Sequence, residues 1–285
     1  MSDILLRTSD LSFGYPERSG LFRRPALREV IKRVDLAVPR GSVLGLVGES
    51  GSGKTTLGRL LVRLLQPTSG GIQFDDVEIG QLDEAELRPL RTRIQMIFQD
   101  PQSSLNPRLR LGTTLTRPLG VHGRLRGQRD QRERAAALLD LVGLPPDFAD
   151  RYPHELSGGQ RQRAGIARAL ALEPDFIVAD EIVSGLDVST QAHILLLLKE
   201  LRARLGLTMV FISHDLSVVR VLCDDVAILH HGEVVEYGAV ARVFGAPQHA
   251  YTQQLLAAIP LPDIEPGWLD DAPPPVTSQQ QGSAA

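Results

Sequence analysis

The chain has one cysteine, three methionines and one tryptophan in 285 residues, and aromatics make up only 5% of it. With Cys223 alone, no internal disulfide can close and no thiolate metal cluster can form, so the fold must rest on packing. A thiol in an apolar segment fits a buried position in a reducing compartment, with the cytosol favoured. Long apolar runs are also missing. None exceeds five residues, the length of Ile194–Leu198. Met1 to Asp10 holds no apolar core of signal-peptide length, so the expectation is a chain that does not span a membrane and takes any membrane role through a partner. A large charge of either sign is absent too: 31 Lys and Arg stand against 34 Asp and Glu, net −3. That leaves no overall electrostatic footprint for nucleic acid, and no nucleic-acid partner is expected.

What is there is an ordinary globular composition, 42% apolar, able to bury a sizeable core in one or two domains. Residues 4 to 47 read as short strands and turns, with Leu11, Phe13 and Tyr15 alternating and a Gly, Pro and Arg-rich loop between Pro16 and Pro25. Then comes Gly48-Glu49-Ser50-Gly51-Ser52-Gly53-Lys54-Thr55, after the apolar strand candidate Val43 to Val47 and at the head of a helical pattern. It fits GxxxxGK[ST], the phosphate-binding loop of nucleotide triphosphatases. Its glycines let backbone amides point at phosphate oxygens, Lys54 reaches the β/γ-phosphates, and the Thr55 hydroxyl can bind Mg²⁺. Leu57, Leu60, Leu61, Leu64 and Leu65 fall on one helical face, which Pro67 and Gly70-Gly71 end.

About 125 residues on, the apolar strand Phe176 to Ala179 ends in Asp180-Glu181. Two acids after a strand are common, but paired with a phosphate loop they assign Asp180 to Mg²⁺ and Glu181 to polarising an attacking water. Further strands are expected at Gly71 to Ile79, Ile94 to Phe98 and Met209 to Ile212, with a helix at Ser189 to Arg204. Ala227 to Leu229 and Val234 to Tyr237 read as a hairpin across His231-Gly232. Residues 101–170, with the helix Gln128 to Val142, look like a helical insertion into an α/β domain. His230 and His231, as neighbours on a strand, should face opposite sides and make no metal site. Residues 263–285, rich in Pro and Gln and carrying the isolated Trp268, read as a disordered tail.

Leu156-Ser157-Gly158-Gly159-Gln160-Arg161-Gln162-Arg163 resembles the signature motif of ATP-binding cassette (ABC) ATPases, and is equally a glycine turn whose helix N-cap is Ser157. The resemblance covers about residues 4–262. It implies an α/β P-loop NTPase cassette: a RecA-like core with an antiparallel β subdomain, an inserted α-helical subdomain at about 101–170 and a C-terminal extension at about 238–262. It further implies binding of ATP and Mg²⁺. Tyr15 matches the aromatic that stacks on adenine, Gly48 to Thr56 the phosphate loop, and Gln99 the glutamine linking Mg²⁺ to the transmembrane partner. Ser157, Gly158, Gly159 and Gln160 match the motif that contacts nucleotide held by the opposite subunit, Ser184-Gly185-Leu186-Asp187 the loop crossing the dimer interface, and His214 the histidine on the γ-phosphate.

Within the family, Phe98 to Pro107, Leu186 to Ser189 and Pro247 to Pro262 resemble the peptide and nickel importer branch. The loop before Val30 and the shortage of cysteine look like its second ATPase subunit, since a cysteine-bound iron–sulfur cluster is impossible with Cys223 alone. The implied partners are a second ABC ATPase subunit, two transmembrane permease subunits and, indirectly, an extracytoplasmic solute-binding protein, placing the chain peripherally on the cytoplasmic face of the inner membrane. Uptake of di- and oligopeptides is the expected work, with a nickel or metal-chelate importer as the alternative cargo. A soluble cassette ATPase acting on ribosomes or DNA is the alternative of another class, although such chains usually carry two cassettes, a long coiled coil or zinc insertions. Two positions depart from the family pattern. Ile182 replaces a proline after the glutamate, which should leave that loop less rigid, and Gly185 stands where alanine is common.

Overall fold

The computed structural model describes residues 3–17, 27–100 and 104–258; the Pro16 to Pro25 loop in large part, Pro101 to Ser103, and the tail with Trp268 lie outside the described residues. Two sheets form the frame. The first runs β2-β1-β4-β5, from β1 (Ile4–Pro16), β2 (Leu27–Pro39), β4 (Ser69–Phe74) and β5 (Val77–Glu78), all antiparallel. The strand Val43–Val47 is short as expected, but the segment before it forms two long strands, β1 and β2, which Thr8 helps to join: its hydroxyl donates to Val34 O and accepts from Leu36 N, each at 2.9 Å.

The second sheet runs β10-β9-β3-β8-β7-β6, from β3 (Val43–Val47), β6 (Ile94–Ile97), β7 (Phe176–Asp180), β8 (Thr208–Ile212), β9 (Asp225–His230) and β10 (Glu233–Ala239). Its neighbours pair parallel except the β9–β10 hairpin at the edge. Strands of such a sheet are buried on both faces and read as continuous apolar runs. Here Met209, Phe211, Ile177 and Ala179 enter one core, while Val210, Ile212, Phe176 and Val178 enter the other. The second core is closed by α1 (Lys54–Leu61) and the antiparallel sheet. The first is closed by α5 (Gly158–Leu170), α6 (Val188–Leu205), α7 (Leu216–Leu222) and α8 (Val240–Gly245). Leu111, Leu115, Leu139 and Phe148 join that same core from the helical segment between β6 and β7, which holds α3 (Leu111–Val121), α4 (Gln128–Leu141) and the 3-10 turn Pro146–Asp150. A short α2 (Glu84–Leu90) precedes β6, and α9 (Ala250–Ala258) lies against β10.

The helix after the phosphate loop is shorter than its leucine spacing predicts. It stops at Leu61, and Leu64 is 49% exposed. The cause is Arg63, which adopts a left-handed φ of 54° and is buried. Its guanidinium donates to three carbonyls, Ile79 O at 2.7 Å, Leu82 O at 2.8 Å and Leu65 O at 3.1 Å, locking the turn onto β5 and its outgoing loop. Replacing it removes the guanidinium donor from part-buried Leu65 O and Leu82 O and leaves buried Ile79 O with only the long 3.4 Å contact from Leu82 N. Arg63→Met is expected to cost about 3 kcal/mol and to lower the Tm by roughly 6–10 °C in a thermal unfolding scan.

Candidate functional site

Parallel strands end on a common edge, and in an open α/β sheet that edge is where ligands bind. The segments leaving β3, β6, β7 and β8 carry the phosphate loop, Gln99, Asp180-Glu181 and His214 respectively. The topology thus assembles residues far apart in sequence.

The loop itself curls as its glycines allow. Gly53, the residue before α1, has φ 107°, a conformation that side chains disfavour. Lys54, only 6% exposed, turns its ammonium back onto the loop and donates to Gly48 O at 2.7 Å and Glu49 O at 2.8 Å. Burial lowers the Lys54 pKa, while the charges of Glu181, Asp180 and Glu49 oppose that shift. Ser52 is buried, and its hydroxyl has no hydrogen-bond partner among the described residues. An ammonium, an unmatched hydroxyl and a helix N-terminus together suit a polyphosphate.

Next to it, Thr55 Oγ1 donates to Asp180 Oδ1 at 3.1 Å. Asp180 is 3% exposed, and desolvation raises its pKa against the pull of the Thr55 hydrogen bond. A hydroxyl and a desolvated carboxylate fit a hard divalent cation that keeps its other positions for phosphate and water. No cluster of three or more His, Cys, Asp or Glu placed for a metal occurs among the described residues. Glu181 follows with a left-handed φ of 47°, a strained conformation outside turns. Its amide donates to Ile212 O at 3.0 Å and its carbonyl accepts from Ser184 N at 3.1 Å. Its carboxylate accepts from Gln99 Nε2 at 3.0 Å and lies 3.6 Å from His214 Nδ1. Ile182 is buried in the core under this turn, so the position lacking proline is held by packing.

Ser157 is the N-cap of α5 in a reciprocal capping box, Gln160 N donating to Ser157 Oγ at 3.3 Å and Ser157 N donating to Gln160 Oε1 at 2.9 Å. At Gly159 an added Cβ would stand 2.5 Å from Thr190 Cγ2, so only glycine lets α5 begin this close to α6. Asp187 caps α6, accepting from Thr190 N at 2.9 Å and Thr190 Oγ1 at 2.7 Å. The structure therefore sets the Ser157 turn beside the Ser184–Asp187 loop; within this chain, both caps hold their own helices. Tyr15, at the far end of β1, is 39% exposed and meets Phe13 edge-on with ring centroids 4.8 Å apart.

An ABC transporter family model matches residues 31–184, the span from β2 through the phosphate loop to the turn after Glu181. The chain belongs to the ABC transporter family. A Brucella ovis relative, named a peptide import ATP-binding protein, is 52% identical over 84% of this chain and 75% of its own length. A Sinorhizobium fredii relative, named a peptide ABC transporter ATP-binding protein, is 49% identical over 92% of this chain and 74% of its own. A dimeric ATP-binding cassette solved after hydrolysis with ADP and Pi superposes with TM-score 0.72 at 32% identity, over 82% of this chain and 98% of that one. A component of an ABC transporter complex from Clostridium perfringens gives TM-score 0.73 at 29% identity, over 86% and 92%. The fold is thus the ABC cassette form of the P-loop NTPase, and the chain is an ATP-binding ABC ATPase. No helix among the described residues of this ABC ATPase is long and apolar enough to cross a membrane.

Two readings change in three dimensions. His230 and His231 do not face opposite sides; their ring centroids are 4.0 Å apart, because β9 ends at His230 and His231 turns out at φ 48°. And Tyr251, noted in the sequence only as part of a branch resemblance, touches the phosphate loop: Glu49 N donates to its hydroxyl at 3.1 Å. A contact spanning 202 residues leaves no local signal.

Because desolvation raises the Asp180 pKa, the folded state holds that proton more tightly than the unfolded chain does. This favours folding below the unfolded value and is lost as pH rises through the folded one, so the charge opposes folding at neutral pH. Asp180→Asn is expected to raise the Tm at pH 7 by roughly 2–4 °C, with the gain closing as pH falls towards about 4, measured by thermal unfolding across pH.

Proposed function

We propose that this chain is the ATP-hydrolysing subunit of an importer of di- and oligopeptides, docked at the cytoplasmic face of the inner membrane on two permease subunits that receive solute from an extracytoplasmic binding protein. The observation that carries the proposal is the Glu181 carboxylate, set by its left-handed backbone between Gln99 and His214 and next in sequence to the buried Asp180. The cargo is taken from the relatives named for peptide import.

In this reading Tyr15 stacks on adenine with its exposed ring, and Gly48, Glu49, Ser50, Gly51, Ser52, Gly53, Lys54, Thr55 and Thr56 enclose the phosphates. Mg²⁺, held by Thr55, Gln99 and Asp180, would screen the phosphate charge and orient the γ-phosphoryl group. Glu181 takes a proton from water aligned behind the γ-phosphorus, and His214 donates a hydrogen bond towards the phosphate oxygens. Ser157, Gly158, Gly159, Gln160 and Asp187 serve a second nucleotide, held by a partner ABC ATPase subunit, with a related chain as the first reading and a copy of this chain as the alternative. Each pocket then needs both subunits, so ATP stabilises the closed pair and hydrolysis releases it. Gln99 and the residues up to about 110 pass that closure to the permeases, with residues 101–170 moving as the helical subdomain of a cassette spanning 4–262.

Glu181→Gln in the assembled complex is expected to lower turnover by ~100-fold or more, with ATP affinity unchanged. Wild-type hydrolysis by that variant would remove Glu181 as the base. Cargo is tested in cells by uptake of labelled di- and oligopeptides against nickel. Nickel uptake without peptide uptake would overturn the peptide assignment, and purification with ribosomes but no membrane subunits would overturn the importer itself.

A further inference from the structure

The phosphate loop is gripped from outside the elements that define it. The peptide unit joining Gly48 to Glu49 is planar, and in the trans form its C=O and N–H point in opposite directions. Both ends of this unit are engaged. The Gly48 carbonyl accepts from the Lys54 ammonium at 2.7 Å, while the Glu49 amide donates to the Tyr251 hydroxyl at 3.1 Å. Lys54 and Tyr251 therefore hold one peptide plane from its two sides, and turning that plane would break both contacts together.

Tyr251 is well placed to be a fixed point. It is 7% exposed and belongs to the main core, with its ring against His230 at a centroid distance of 3.8 Å. Burial raises its pKa, which keeps the hydroxyl protonated and neutral. The start of α9 is anchored in turn: the buried Glu236 on β10 accepts from Gln248 N at 3.0 Å and His249 N at 3.1 Å, and Tyr251 N donates to His249 Nδ1 at 3.1 Å. The β9–β10 turn supports the loop at a second point, Gly232 N donating to Ser52 O at 3.0 Å.

We propose that Tyr251 is a positioning residue of the ATP site, through which the C-terminal helix α9 sets the orientation of the Gly48–Glu49 peptide and hence the place of the Lys54 ammonium and the affinity for nucleotide. The proposal rests on the reading of the Lys54 loop as the ATP site. Its functional element is the hydroxyl, since the ring alone fills core space. Without that oxygen the Glu49 amide loses its acceptor, the peptide plane is held from one side only, and ATP meets a loop it must order on binding.

The test is titration of the purified full-length chain with a fluorescent ATP analogue, in parallel with thermal unfolding. Tyr251→Phe is expected to weaken the Kd roughly fivefold, the scale of one neutral hydrogen bond, with the Tm lowered by no more than about 2–4 °C. Gln254→Ala, on the exposed side of the same helix, should bind as wild type does. Wild-type affinity in Tyr251→Phe would overturn the proposal, as would a loss of affinity matched by a large fall in Tm, which would make the tyrosine merely structural. Lys54→Ala separates this from the underlying reading. If that variant bound with wild-type affinity, the loop would not be the ATP site at all.

Discussion

Burying the Lys54 ammonium inside a glycine-rich loop is the constraint from which the arrangement of this site follows. A lysine removed from water strongly prefers to lose its charge, and it keeps that charge only where oxygens replace the lost hydration. Lys54 is supplied by two carbonyls of its own loop and by the negative charges of Asp180, Glu181 and Glu49. The loop must therefore curl tightly, with Glu49 on the loop itself and Asp180 and Glu181 brought from the end of β7. Those acids are in turn uncomfortable alone, since Asp180 is itself desolvated. The Lys54 and Arg59 charges favour the Asp180 carboxylate while the neighbouring Glu181 charge opposes it.

The parallel sheet supplies what that balance needs. Its strands are buried on both faces, so their central residues are committed to packing and only their ends remain for chemistry. Parallel pairing puts those ends on one edge, which is how Thr55 meets Asp180 and how Gln99 and His214 both reach Glu181. The antiparallel sheet and α1 cover one face. The helical segment between β6 and β7 shares the other core with Ile97, at the end of the strand that precedes Gln99.

Much of the fold was legible in sequence because its signals are local. The apolar runs of β3, β7 and β8, the turn at His231-Gly232 and the span of α6 follow from periodicity and turn chemistry over a few residues. Ser157 was legible as an N-cap for the same reason. The end of α1 was not, since the leucine pattern continues past Leu61 while the chain is turned aside by Arg63, two of whose three acceptors, Ile79 O and Leu82 O, lie in a distant segment. The two histidines were misread because alternation holds only inside a strand. The core role of Ile182 was also hidden: the loss of proline is visible in sequence, but the packing that compensates is not.

The sequence by itself determined the kinds of chemistry available: a loop that can wrap phosphate, a strand ending in two carboxylates and a glycine turn that begins a helix. Residue type and short spacing are enough for these, because each is built within one turn of backbone. Only the tertiary structure decided which of these groups meet. It brought Gln99 and His214 to Glu181, aligned Thr55 with Asp180, and set Tyr251 behind the peptide that holds Lys54. Such contacts join separate strands and helices, and their geometry depends on sheet order and core packing, which no short stretch of sequence contains.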